Sequence, residues 1–102
     1  MTQASSWNSD VDPNISDWHW MLYRFGVTYR EDPMDRGLES YNDAMRELAE
    51  EHSVPVYDLA RSLPKSSAYF YDDVHFNVGG AATAGEGLAS FILEKQLVPR
   101  RR

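Results

Sequence analysis

Residues 37 to 59 read GLESYNDAMRELAEEHSVPVYDL, and the fold turns on how this stretch divides. Leu38, Tyr41, Met45, Leu48 and Ala49 recur at spacings of three and four, with Glu39, Asp43, Arg46, Glu47 and Glu50 on the opposite side. That period predicts an amphipathic helix over Gly37 to His52. Val54-Pro55-Val56-Tyr57-Asp58-Leu59 follows at once. Its β-branched and aromatic content predicts a short buried strand, with Pro55 near the start, where a missing ladder donor is tolerated.

Beyond this stretch, residues 60 to 76 carry Pro64, several serines and the aromatic run Tyr69-Phe70-Tyr71, and predict a long loop. Asn77 is a candidate N-cap for a last helix from about Val78 to Gln96, with Ala81, Ala84, Leu88, Phe91 and Ile92 facing inward. Gly79, Gly80, Gly85 and Gly87 weaken such a helix by up to ~1 kcal/mol each relative to Ala. Close approach to a neighbouring element would compensate.

Toward the N-terminus, Met21, Leu22, Tyr23, Phe25, Val27 and Tyr29 suit either a short extended segment or a helix that Gly26 interrupts. Residues 1 to 20 fit neither period, and predict a loop with at most a helical turn near Ile15 to Trp20. The order helix, strand, long loop, helix is an α/β pattern, which points to a parallel sheet covered by helices. One strand makes no sheet. Either residues 21 to 30 add another, or the chain is part of a larger α/β unit.

At 102 residues the chain holds one domain at most. Its hydrophobic fraction of 42% and charged fraction of 25% are those of a soluble, core-forming sequence, and 13% aromatic residues argue against disorder. The formal net charge is -6, and eight of the sixteen acidic residues fall among Glu31, Asp32, Asp35, Glu39, Asp43, Glu47, Glu50 and Glu51. Such a face repels phosphate backbones and anionic lipid, which argues against nucleic-acid or membrane-surface partners. Arg100, Arg101 and Arg102 after Pro99 read as a frayed basic tail.

Without cysteine, disulfides, thiolate metal sites and cysteine nucleophiles are excluded. No apolar run approaches the ~20 residues needed to span a bilayer, and residues 1 to 20 lack the pattern of a signal peptide. Localisation stays open.

The chemistry concentrates in Tyr71-Asp72-Asp73-Val74-His75-Phe76-Asn77. A carboxylate three residues before a histidine, in a loop that enters a helix, can accept a hydrogen bond from the imidazole. That contact fixes the tautomer and stabilises the imidazolium formed when the ring takes a proton. Asp72 and His75 therefore read as an oriented general base, with Asp73 pointing elsewhere to serve the loop or the helix end.

In Tyr41-Asn42-Asp43-Ala44-Met45-Arg46-Glu47-Leu48-Ala49, Val54 to Leu59, and Tyr71 to Gly80, the chain resembles the SGNH (also called GDSL) hydrolases. The likeness covers roughly residues 38 to 95, and Met1-Thr2-Gln3 looks like the end of a further family strand. It implies a fragment of a flavodoxin-like, three-layer α/β/α fold. Residues 1–37 would be a loop-rich substrate-side insertion, 38–98 the C-terminal part of the hydrolase domain, and 99–102 the basic tail.

The resemblance also implies hydrolysis of carboxylic esters by a Ser-His-Asp triad, with Asp72 as the orienting acid and His75 as the general base. No cofactor and no metal are implied. The family's nucleophile stands in a Gly-Asp-Ser block, and its oxyanion donors come from that Ser, a Gly and an Asn. Here Ser9 in Asn8-Ser9-Asp10 lacks the preceding Gly-Asp, and Asn42 lies in the predicted helix. The chain alone is then expected to be inactive, since loss of even one oxyanion donor costs ~2.7–4 kcal/mol. The alternative is a non-catalytic interaction module or the complementing half of a split enzyme, self-associating through an exposed sheet edge.

The remaining candidates have plainer readings. His52 at the end of an acidic helix complements the helix dipole. His19 between Trp18 and Trp20 reads as part of a partly buried aromatic cluster rather than the lining of an acyl or sugar pocket. Tyr69-Phe70-Tyr71 reads as packing beneath the loop, and Asp58 as a turn, cap or ligand group. A metal on Asp72, Asp73 and His75, completed by His19 or His52, matches no compact ligand spacing.

Overall fold

The structure, a computed structural model, describes residues 1–8, 10–24 and 26–99. Ser9, Phe25 and the basic tail of Arg100 to Arg102 lie outside the described residues. Among the described residues four helices and one hairpin follow in order: α1 (Pro13–Ser16), β1 (Tyr23–Arg24), β2 (Val27–Thr28), α2 (Glu31–Glu51), α3 (Leu59–Ser62) and α4 (Val78–Glu94).

This overturns the expected flavodoxin-like α/β/α fold. The chain is mostly helical, and the strands among the described residues are β1 and β2, paired antiparallel with Tyr23 opposite Thr28 and Arg24 opposite Val27. No parallel sheet is formed among the described residues. Gly26, at φ +78, turns that hairpin in the left-handed region that a glycine enters without steric cost.

The segment Val54 to Asp58 is not a strand, and Leu59 already belongs to α3. The Tyr57 carbonyl accepts from Thr2 N at 3.1 Å. Pro55 has no N–H, and Val54 is exposed rather than buried. An apolar run of this length becomes a strand only where a neighbour supplies a ladder. Met1-Thr2-Gln3 supplies one rung and no more.

The helix α2 begins six residues before the predicted start, at Glu31, because Pro33 falls in its first turn, where a proline costs no intrahelical bond. It ends in a Schellman motif: Ser53 takes φ 55, Val54 N donates to Ala49 O and Ser53 N to Glu50 O. His52 is its C-cap, as the charge pattern suggested.

Its apolar stripe is only partly covered, with Leu38, Met45 and Ala49 half-buried. Tyr41 is 61% and Leu48 57% exposed, and the residue α2 buries is Asn42. Asp35, Asn42 and Arg46 look inward instead, each with a partner. Lys65 Nζ meets Asp35 at 2.8 Å, and Asn42 grips the Gln3 backbone by both its carbonyl (2.8 Å) and its N–H (2.9 Å). Arg46 forks onto both oxygens of Asp58 at 2.8 and 2.9 Å while reaching Glu39 and Asp43 at 2.7 Å. Polar anchoring sets the rotation of the helix.

The Arg46 fork holds the Asp58 carboxyl below the usual carboxylate range, against a smaller opposing effect of burial, with help from the Thr2 hydroxyl. A carboxyl lowered on folding contributes stability above its ordinary pKa and loses it as pH falls through the lowered value. Arg46→Met is therefore expected to reduce unfolding free energy at pH 7 by about 1–3 kcal/mol. The difference should shrink below about pH 4. Urea midpoints at both pH values check this; an equal loss at pH 3 would show that packing alone is responsible.

The expected last helix is present as α4, with Asn77 Oδ1 accepting from Gly80 N at 2.9 Å. Ala84, Leu88, Phe91 and Ile92 are half-buried as expected, whereas Ala81 is exposed. Close approach accounts for Gly80, where a Cβ would strike the Tyr69 carbonyl, and for Gly87 against the Tyr57 hydroxyl, but not for Gly85, which faces open space. The core is small: Ala4, Ile15, Leu59, Leu63 and Phe70, with Tyr57, Tyr69, Phe76 and Ala84 packed against it. The N-terminal third, expected to be loop, supplies two of those five residues. Its helical turn is α1, capped by Asp12 onto Asn14 N, earlier than expected.

Candidate active site

Asp72 and His75 come together as the spacing predicts. An isolated antiparallel bridge between Phe70 and Phe76 pinches the loop closed, and their rings meet edge to face at 5.4 Å. Inside that pinch the Asp72 Oδ1 accepts from Val74 N at 3.0 Å and His75 N at 2.9 Å, an Asx-type turn that a short carboxylate forms with its own backbone. The His75 Nδ1 lies 3.0 and 2.9 Å from the two oxygens of Asp72.

An ionised carboxylate only accepts, so Nδ1–H is the donor and the neutral ring presents its lone pair at Nε2. Burial on its own raises the Asp72 carboxyl. The hydrogen bonds from His75 N, Val74 N, the imidazole and the Trp20 indole together outweigh it and hold the group below the usual carboxylate range. Asp72 is therefore ionised wherever His75 can act as a base.

The His75 side chain is 53% exposed, and the Tyr71 ring stacks on it at 5.6 Å and 16°. Tyr71 is thus not packing beneath the loop, a role that falls to Phe70. On the Tyr71 side an open cleft of about 360 Å³ is lined by Ile15, Trp18, Phe70 and Tyr71, with Ser67 and Asn77 at its polar edge. Among the described residues, the His75 ring hydrogen-bonds only to Asp72.

Asp73 points the opposite way, as expected, but onto partners that the sequence did not reveal. It is 0% exposed and accepts from Trp7 Nε1 at 2.7 Å, Trp20 N at 2.6 Å and Met21 N at 3.2 Å. It thereby fastens the N-terminal segment behind the loop that holds Asp72 and His75.

The WHW cluster is inverted relative to the expected aromatic patch. Trp18 and Trp20 are largely exposed, while the His19 side chain is 1% exposed, with Nε2 2.8 Å from Ser6 Oγ and Nδ1 3.6 Å from Glu31. Ser6, His19 and Glu31 repeat the order of a serine, histidine, acid relay. Yet Ser6 is 0% exposed, and its hydroxyl donates to the Asp72 carbonyl at 2.8 Å. No acyl group can reach it.

Sequence reasoning missed Ser6, Trp7 and Trp20. The only local hint was the density of indole donors near an otherwise irregular stretch. Asp58 stands at the N-cap position of α3, and its carboxylate accepts from Arg46 and Thr2. Among the described residues, no three His, Asp or Glu side chains converge on one point. None of the helices among the described residues is long and apolar enough to cross a membrane. A scan against protein-family models, a search of curated proteins and a search of solved structures each found no match to this chain.

Proposed function

We propose that Asp72 and His75 are the acid and base of a carboxylic ester hydrolase that works through a serine nucleophile, the serine and the oxyanion donors being supplied from outside this chain. The observation that carries the reading is the His75 ring: clamped at Nδ1 by an ionised Asp72, exposed, and with Nε2 left to take a proton from a hydroxyl. In the reaction Nε2 accepts the serine proton as Oγ attacks the ester carbonyl, then returns it to the leaving alcohol. Water repeats the cycle to release the acid. Asp72 stays ionised and stabilises the imidazolium. The ester lies along the cleft beside Tyr71 and Trp18.

The test has two arms. This chain alone should hydrolyse a short-chain nitrophenyl ester no faster than its His75→Gln variant. The coding sequence upstream, read in frame, should contain a Gly-Asp-Ser block, and a protein extended through it should turn over the ester in a His75-dependent way. A His75-dependent rate in the short chain overturns the claim that the nucleophile lies elsewhere; an extended protein without His75-dependent turnover overturns the hydrolase reading.

One observation favours a second reading, an association module. Met45, Leu48, Ala49, Val54 and Val56 line an apolar groove with Met1, although the described residues form no parallel-sheet edge there to pair with another chain. The same assay separates the two readings, because an association module gives no His75-dependent turnover in either form.

A further inference from the structure

The bridge between Phe70 and Phe76 has a further contact just inside it, where Tyr71 N donates to the His75 carbonyl at 3.1 Å. Side chains along extended backbone alternate in direction. Phe70 is buried, so the neighbouring pair Tyr71 and His75 is turned to the outer face, where both remain about half exposed. Side chains that oppose one another across such a contact stand close enough to touch. The phenol and imidazole rings lie 5.6 Å apart and 16° from parallel, an offset stack.

The clamp at Nδ1 leaves the ring one freedom. The χ2 torsion of a histidine is broad and soft, and a hydrogen bond tolerates misalignment before it fails. Asp72 alone therefore fixes the tautomer but lets the ring plane rock, and Nε2 moves with it. The Tyr71 ring closes one side of that motion.

The same stack acts on charge. The face of a phenol ring carries negative potential and attracts a cation within about 6 Å of its centroid. His75 becomes a cation only when Nε2 takes a proton, so the stack favours the imidazolium over the neutral ring. Asp72 works in the same direction and is the charged side chain paired with His75 among the described residues. The Trp20 indole donates to the Oδ2 of that carboxylate, and Asp73 is turned away onto Trp7, Trp20 and Met21.

We propose that Tyr71 is a positioning residue for His75, its ring holding the plane of the imidazole and supporting the proton-bearing form. Its meaning for catalysis rests on the reading of His75 as a general base; the stack itself does not.

The isotope-labelled chain, without any serine partner, is titrated through the range in which histidine takes a proton, and its imidazoles are followed by nuclear magnetic resonance. Tyr71→Leu is expected to lower the His75 midpoint by about 0.4–0.7 pH unit, the loss of one exposed cation–π contact. Tyr71→Phe keeps the ring and should stay within about 0.2 unit of the parent. Tyr71→Trp, with the stronger face, should match or exceed the parent. The His52 midpoint should not move in any of them.

An unchanged midpoint in Tyr71→Leu overturns the proposal, as does a fall in Tyr71→Phe as large as that in Tyr71→Leu. The ring nitrogen shifts report the tautomer, and loss of Nδ1–H in Tyr71→Leu would show a role in the Asp72 clasp rather than through the ring face, overturning it as well. Should Tyr71→Leu not fold, a lower midpoint in Tyr71→Trp than in Tyr71→Phe decides against the stack. Turnover in the extended protein decides the hydrolase reading separately.

Discussion

Replacing Asp73 by alanine is expected to lower the unfolding free energy by about 3–4 kcal/mol, because each buried donor left without an acceptor costs on the order of 1–3 kcal/mol. Three donors are stranded together: the Trp7 indole and the backbone N–H groups of Trp20 and Met21. Water cannot replace the carboxylate without opening the segment behind the loop. Asp73→Asn should lose less, about 1–3 kcal/mol, since one oxygen survives while the new NH₂ faces a donor. Urea unfolding followed by tryptophan fluorescence measures both, with Trp7 itself reporting. A loss below about 1 kcal/mol for the alanine variant, the worth of one ordinary hydrogen bond, would mean that Asp73 fastens nothing.

The other large effect is on the proposed ester hydrolysis. In a protein extended to include the proposed serine, His75→Gln is expected to lower kcat/KM by roughly 10²–10⁴-fold, the range for loss of a general base. Asp72→Asn should approach the same loss. An amide in place of the carboxylate can hold the ring in the wrong tautomer, with Nε2 protonated and unable to accept from the serine. The Val74 and His75 backbone donors keep an acceptor in Asp72→Asn, so the loop is expected to stay folded. A fall in KM-linked binding with unchanged kcat would place Asp72 in substrate binding instead.

What could be read from the sequence is what depends on near neighbours. The Asn77 cap, the Ala84 to Ile92 face of α4 and most of α2 are local patterns of three and four residues, and they stand where expected. So does the Asp72 to His75 clasp, three residues across. The strand at Val54 to Leu59 failed because a strand is defined by its partner, and the run itself does not say whether one exists. The rotation of α2 failed for a related reason. Apolar spacing singled out Leu38, Tyr41, Met45, Leu48 and Ala49, of which Tyr41 and Leu48 are exposed; Asn42 and Arg46 anchor the helix through Gln3 and Asp58, and nothing near Asn42 in the sequence reveals a partner 39 residues away. The first turn of α2 lies N-terminal to the apolar period that located the helix, so the period alone did not reach it. Ser6 and the partners of Asp73 were invisible on the same ground, since these contacts span 66 residues of chain.

Those spans carry a kinetic consequence for the clasp that Asp73 makes with Trp7 and Trp20. Its hydrogen bonds close loops of 52 to 66 residues, and such closures lose their entropy before any contact repays it. The helices α2 and α4 can form from local contacts while the two ends of the chain are still apart. The clasp is then expected to form late in folding and open early, with the amide protons of Trp20 and Met21 exchanging with solvent through that opening rather than through global unfolding, as native-state hydrogen exchange would show. The geometry around His75 is held in place by the part of the molecule that is slowest to assemble.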